Sequence, residues 1–114
     1  MDILTKRGSP EYEIIEAVRP LRGEVVVNKG TVSVFVSTGL DSTMRSWGAR
    51  AALFTGMLTE VCVGGTAHHA ADLGYDSLIF EDCCGTTDVA LHATELRTFG
   101  GLFGRVEPTA SVME

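Results

Sequence analysis

Ala51-Ala52-Leu53-Phe54-Thr55 is a short apolar run that stops abruptly at Gly56-Met57-Leu58-Thr59-Glu60-Val61-Cys62. Beyond that turn, from about Glu60 to Leu73, the residues Val61, Val63, Ala67, Ala70 and Ala71 predict a helix with a small-residue face. Unbroken apolarity over so short a run fits a strand buried on both faces, which is the habit of parallel sheets covered by helices. Small side chains let the next helix lie close on that sheet, and Gly74 suits the position just after its end. The turn between them carries Cys62 at a helix start, with backbone amides close by. Partial positive charge at a helix N-terminus favours a thiolate. A free cysteine is more often an inert, buried small hydrophobe, so position alone leaves both roles open for Cys62.

The rest of the chain repeats the alternation. Ser9-Pro10 is a helix-start signal, Tyr12, Ile15 and Val18 share a face, and Pro20 and Gly23 close the segment. Glu24–Asn28 is a β-branched run and reads as a strand, with Lys29 at its C-terminal end. Open α/β sheets bind ligands along that edge, which lifts Lys29 above an ordinary loop lysine. Residues 31–38 read as irregular. Leu40, Met44 and Trp47 predict a helix that Gly48 ends. Asp76–Glu81 is a third strand, ended by Asp82-Cys83-Cys84-Gly85. Thr86 or Thr87 caps a helix whose buried face is Val89, His92, Leu96 and Phe99, and Gly100-Gly101 ends it. Gly104–Glu107 is a last short strand. Strands and helices in this order imply an α/β fold, with a mostly parallel sheet and helices on both faces.

With 114 residues, 45% of them apolar, the chain reads as one domain spanning residues 1–114. A net charge of −6 without a basic stripe argues against nucleic acid or an anionic membrane as partner. No apolar run approaches the ~20 residues of a membrane span. The first residues are too short and mixed for a signal peptide, and three cysteines without framework spacing suit a reducing compartment, so the expected location is cytoplasmic. His68 and His69 are neighbours on a helix, about 100° apart, and cannot chelate one metal together. They read as surface or packing residues. Cys83, Cys84 and His92 lack a second ligand cluster, so no metal and no cofactor is expected.

Three segments together resemble the isochorismatase-like cysteine hydrolases, which include nicotinamidases and N-carbamoylsarcosine amidase. Val25-Val26-Val27-Asn28-Lys29 with Ser33-Val34-Phe35 looks like the family's lysine strand and following loop. Phe54-Thr55-Gly56-Met57-Leu58-Thr59-Glu60-Val61-Cys62-Val63 looks like its nucleophile turn, with the Thr-x-x-Cys-Val pattern. Thr66 to Tyr75, Glu81 to Gly85 and His92 to Leu96 match the helices and strand that follow. The resemblance implies a three-layer, Rossmann-like α/β/α domain and hydrolysis of a C–N amide bond in a small molecule through a Cys thioester. It assigns the nucleophile to Cys62, the assisting lysine to Lys29, a cis peptide to Met57–Leu58, and the oxyanion hole to the backbone N–H groups of Leu58 and Cys62.

The family's first strand carries a catalytic aspartate, and its second precedes a loop with any metal-binding histidines. Both precede the first helix assigned above. The sequence is therefore expected to represent the C-terminal two-thirds of the family domain, lacking its first two strands. Asp2 is the one acid near the start that could stand for the base, and nothing around it reads as a buried strand. Two functions follow as expectations: a cysteine amidohydrolase acting on a small-molecule amide, or a non-catalytic remnant or subunit that folds only within an oligomer. Either way, strands left without neighbours imply a homo-oligomer.

Overall fold

The structure, a computed structural model, describes residues 6–113. Asp2 lies outside the described residues. The elements, in order, are two short 3₁₀ turns, α1 (Val34–Ser37), α2 (Leu40–Ser46), β1 (Ala51–Met57), a π turn (Thr59–Val63), α3 (Gly64–Asp72), β2 (Asp76–Gly85), α4 (Val89–Leu102), β3 (Arg105–Glu107) and a last 3₁₀ turn (Thr109–Ser111). The three strands form one parallel sheet in the order β1-β2-β3. Parallel neighbours need crossovers, and α3 and α4 supply them. The α/β fold expected from the alternation is the one observed.

The core lies between α3, α4 and one face of the sheet. Val63, Ala67, Ile79 and Phe99 form its centre, with Phe54, Cys84, Leu96 and Val106 packed around them. Ala52, Ala70 and Tyr75 form a second cluster, against Phe35 and Met44 of α1 and α2. Ala67 and Ala70 are fully buried, which lets α3 lie on the sheet closely enough for the Ser77 hydroxyl to donate to the Ala67 carbonyl at 2.9 Å. Gly74 takes φ +94° just after α3, the left-handed conformation a C′ residue needs. Gly104 sits against the Ser77 carbonyl and the Phe99 ring, where any side chain would collide.

Several expectations are corrected. The predicted helix after Ser9 is two separate 3₁₀ turns, Pro10–Tyr12 and Glu16–Val18. Ile14, Ile15 and Val18 are exposed, so nothing is buried that would hold a longer helix together. Glu24–Asn28 is not a strand: among the described residues it pairs with nothing, and Val25, Val26 and Val27 stand exposed. Residues 31–38 are not wholly irregular, because Ser33 caps α1 by accepting from the Phe35 N–H. β1 is not buried on both faces. It is an edge strand, with Leu53 55% and Met57 69% exposed. The helix expected from Glu60 begins as a π turn and becomes α-helical only at Gly64. β2 continues through Cys83 and Cys84 to Gly85, because β1 keeps pairing with it across a bulge, Gly56 with Cys84 and Met57 with Gly85. Asp88, not Thr86 or Thr87, caps α4, accepting from Ala90 and Leu91. That helix runs through both glycines to Leu102, and Val89 faces solvent at 82% exposure.

Candidate active site

The sequence pairs a β-strand exit with a helix entrance at Cys62, and the fold makes that junction tight. The Met57–Leu58 peptide bond is cis. The chain then enters the π turn, where the Leu58 carbonyl accepts from both Val61 N–H (3.1 Å) and Val63 N–H (3.2 Å). Wide turns of this kind occur frequently at functional sites. Two side chains fasten it. Thr59, fully buried, hydrogen-bonds through Oγ1 to Nδ1 of His92 on α4 at 2.8 Å. Glu60 accepts from the Thr86 hydroxyl at 2.8 Å, while its second carboxylate oxygen is buried without a partner among the described residues. The turn is thus tied to α4 on one side and to the end of β2 on the other.

Cys62 is a free, half-buried thiol. The Lys29 ammonium donates to its sulfur at 3.2 Å and to the Thr31 carbonyl at 2.9 Å. Residues 33 positions apart therefore meet, although the segment before Lys29 pairs with no strand. A cation beside a sulfur favours the thiolate, which is the nucleophilic form. Among the described residues no carboxylate forms an ion pair with Lys29. Cys84 differs. Its side chain packs into the core, and burial pushes its thiol up.

The remaining histidines hold elements together. His68 on α3 meets Glu95 on α4 at 2.7 Å, with its ring against Phe99 and Phe103. His69 meets the Ser33 hydroxyl at 2.8 Å. Sequence reasoning read His69 as a surface or packing residue. Its partner lies 36 residues away, and the weak hint was a Thr66/His69 pair at i, i+3 on the face toward the lysine loop. Among the described residues no group of three His, Cys, Asp or Glu side chains could hold a metal ion. Among them, too, no helix is long and apolar enough to cross a membrane.

The signature of the Isochorismatase domain matches residues 2–111. The chain belongs to the isochorismatase family. This family member is 41% identical over 76 residues to the ureidoacrylate amidohydrolase RutB of Variovorax paradoxus, covering 67% of the chain and 30% of that protein. Against the ureidoacrylate amidohydrolase RutB of Acinetobacter baylyi it is 31% identical over 109 residues, 95% of the chain and 44% of that protein. The chain thus spans less than half the length of these curated relatives. An isochorismatase-like hydrolase from Alkaliphilus metalliredigens superposes with a TM-score of 0.93 over 99% of the chain and 63% of its own, at 24% identity, a likeness of fold.

Proposed function

We propose that this isochorismatase-family chain is a cysteine hydrolase that cleaves a C–N amide bond of a small molecule. The observation that carries the reading is the Lys29 ammonium 3.2 Å from the Cys62 sulfur, at a strand-to-helix turn. The Cys62 thiolate attacks the amide carbonyl carbon, and the backbone N–H groups of Leu58 and Cys62 receive the oxyanion. Removing one such donor typically costs about 10²–10³ in rate. The C–N bond breaks as the nitrogen takes up the proton that the Cys62 thiol gave up, so ammonia or an amine leaves. Water then hydrolyses the thioester, its hydroxyl going to the acid and its proton returning to the thiol. The Lys29 ammonium, 3.2 Å from the sulfur, lies where it assists the attack electrostatically. The naming of relatives as ureidoacrylate amidohydrolases makes ureido and carbamoyl compounds the first substrates to try.

A specific observation favours a second reading. The thiol must lose its proton, and among the described residues no carboxylate hydrogen-bonds Cys62 or Lys29. A non-catalytic subunit or remnant, folding within a homo-oligomer, would present the same pair without turnover. Ammonia release separates the two. The panel is ureidoacrylate, N-carbamoyl amino acids and nicotinamide, with Cys62→Ala as control. Release that disappears in the variant supports the hydrolase. No release from a folded chain supports the subunit.

A further inference from the structure

We propose that Ser33 and His69 are positioning residues, which seat the lysine loop on α3 and so keep the Lys29 ammonium on the Cys62 sulfur. The inference rests on the Lys29–Cys62 pairing of the proposed function and extends it to side chains that touch neither the sulfur nor a substrate.

The segment leading into Lys29 is exposed and, among the described residues, pairs with no strand, so the sheet does not fix the lysine. The residues after it are held. Lys29 Nζ donates to the Thr31 carbonyl. The Thr31 hydroxyl donates to the Ser33 carbonyl at 2.6 Å and meets the Ser37 hydroxyl at 2.9 Å. Ser37 also accepts from Gly30 N–H at 3.1 Å. Ser33, 8% exposed, then reaches His69 at 2.8 Å. Because His69 and Cys62 belong to one continuous helical segment, these contacts close a ring: Cys62, α3, His69, Ser33, Thr31, Lys29 and back to Cys62. The helix that carries the sulfur also carries the seat of its cation.

Two more residues of α3 shape that seat. A methyl at Gly65 would stand 2.6 Å from Val32 Cγ1, so any larger residue there would push the Val32 side chain aside. The Thr66 hydroxyl lies between the Val32 carbonyl and the Val34 N–H, at 3.4 Å from each. Those bonds are long, and the Ser33–His69 bond is the short one. Ser33 Oγ also accepts from the Phe35 N–H at 3.3 Å, so the hydroxyl that caps α1 is the one that meets Nδ1 of His69.

The test is peptide-resolved iodoacetamide alkylation of Cys62 at neutral pH, together with thiolate ultraviolet absorbance, on the full chain. Loss of the cation in Lys29→Met is expected to slow alkylation about tenfold. His69→Ala and Ser33→Ala are expected to slow it about threefold or more, with matching loss of thiolate absorbance. His69→Asn keeps near the place of Nδ1 an amide that can donate or accept, and is expected to restore the rate. Adding His69→Ala to Lys29→Met should slow it no further, because the two act through one ring. Wild-type rates in folded His69→Ala and Ser33→Ala, with Lys29→Met slow, would overturn the positioning role and leave the Lys29–Cys62 pair standing. A His69→Asn as slow as His69→Ala would overturn it too. A wild-type rate in Lys29→Met would overturn the pair itself and the positioning role with it. Should His69→Ala fail to fold, Ser33→Ala decides.

Discussion

Cys62 and Cys84 are both half-buried thiols, and their neighbours separate them. Cys62 has an ammonium on its sulfur, whereas Cys84 packs against the core cluster with its sulfur toward the Phe54 carbonyl, where burial disfavours its thiolate. Iodoacetamide at neutral pH should therefore label Cys62 before Cys84, which peptide mass spectrometry would read directly. Asp41 is one of two carboxyls that the fold holds below the usual aspartate range. The Tyr75 hydroxyl donates to it at 2.6 Å and the Arg45 guanidinium lies at 3.1 Å, and together they hold its carboxyl below the usual aspartate range. Asp82 is lowered likewise, by the Thr109 hydroxyl and N–H. A carboxyl whose folded pKa is depressed adds stability that is complete above its unfolded value and is lost as pH falls through the folded one. Thermal melting should thus fall on acidification below the ordinary aspartate range, and Asp41→Asn should flatten that fall. An unchanged pH dependence in the variant would remove Asp41 from this account.

At the scale of elements, α4 is held at its start and along its buried side. Asp88 accepts from two N–H groups at its first turn, and Asp88→Ala should cost about 1 kcal/mol in denaturant unfolding. Phe99 is fully buried between α3, α4 and the sheet, and Phe99→Ala should cost about 3–5 kcal/mol. A Phe99 variant as stable as the parent would mean that the cluster around Ile79 is not the core. The segment before Lys29 shows the converse. Its apolar residues have helical spacing, yet they lie against no apolar surface, and the chain takes 3₁₀ turns and extended backbone instead. A short helix in water needs a buried face, and here none is provided.

For the molecule as a whole, the open edge is the dominant feature. Among the described residues β1 pairs with β2 on one side only, and Val25, Val26 and Val27 expose apolar side chains on a segment that pairs with no strand. Exposed extended segments and open strand edges are templates for pairing with another chain. Light scattering should report a mass above that of one chain, and Val26→Lys should shift it downward. A monomer at all concentrations would remove the homo-oligomer from the account. The same geometry bears on activity, because Lys29 follows this segment and reaches Cys62 only through the contacts after it.

The order of elements from Leu40 onward was legible in the residues themselves. Small side chains at Ala67 and Ala70, the glycine after α3, and the apolar run at Leu78 and Ile79 each carry a local, short-range preference that the fold keeps. The pairing of Lys29 with Cys62 followed from a resemblance rather than from spacing, because nothing local joins residues so far apart in the chain. Which strand lies at the edge, whether Glu24–Asn28 pairs, and what His69 touches depend on neighbours contributed by distant parts of the chain. Periodicity fixes the face a residue presents, whereas only tertiary packing decides what stands opposite that face. The Ser33–His69 bond and the open side of β1 therefore emerge only from the folded structure.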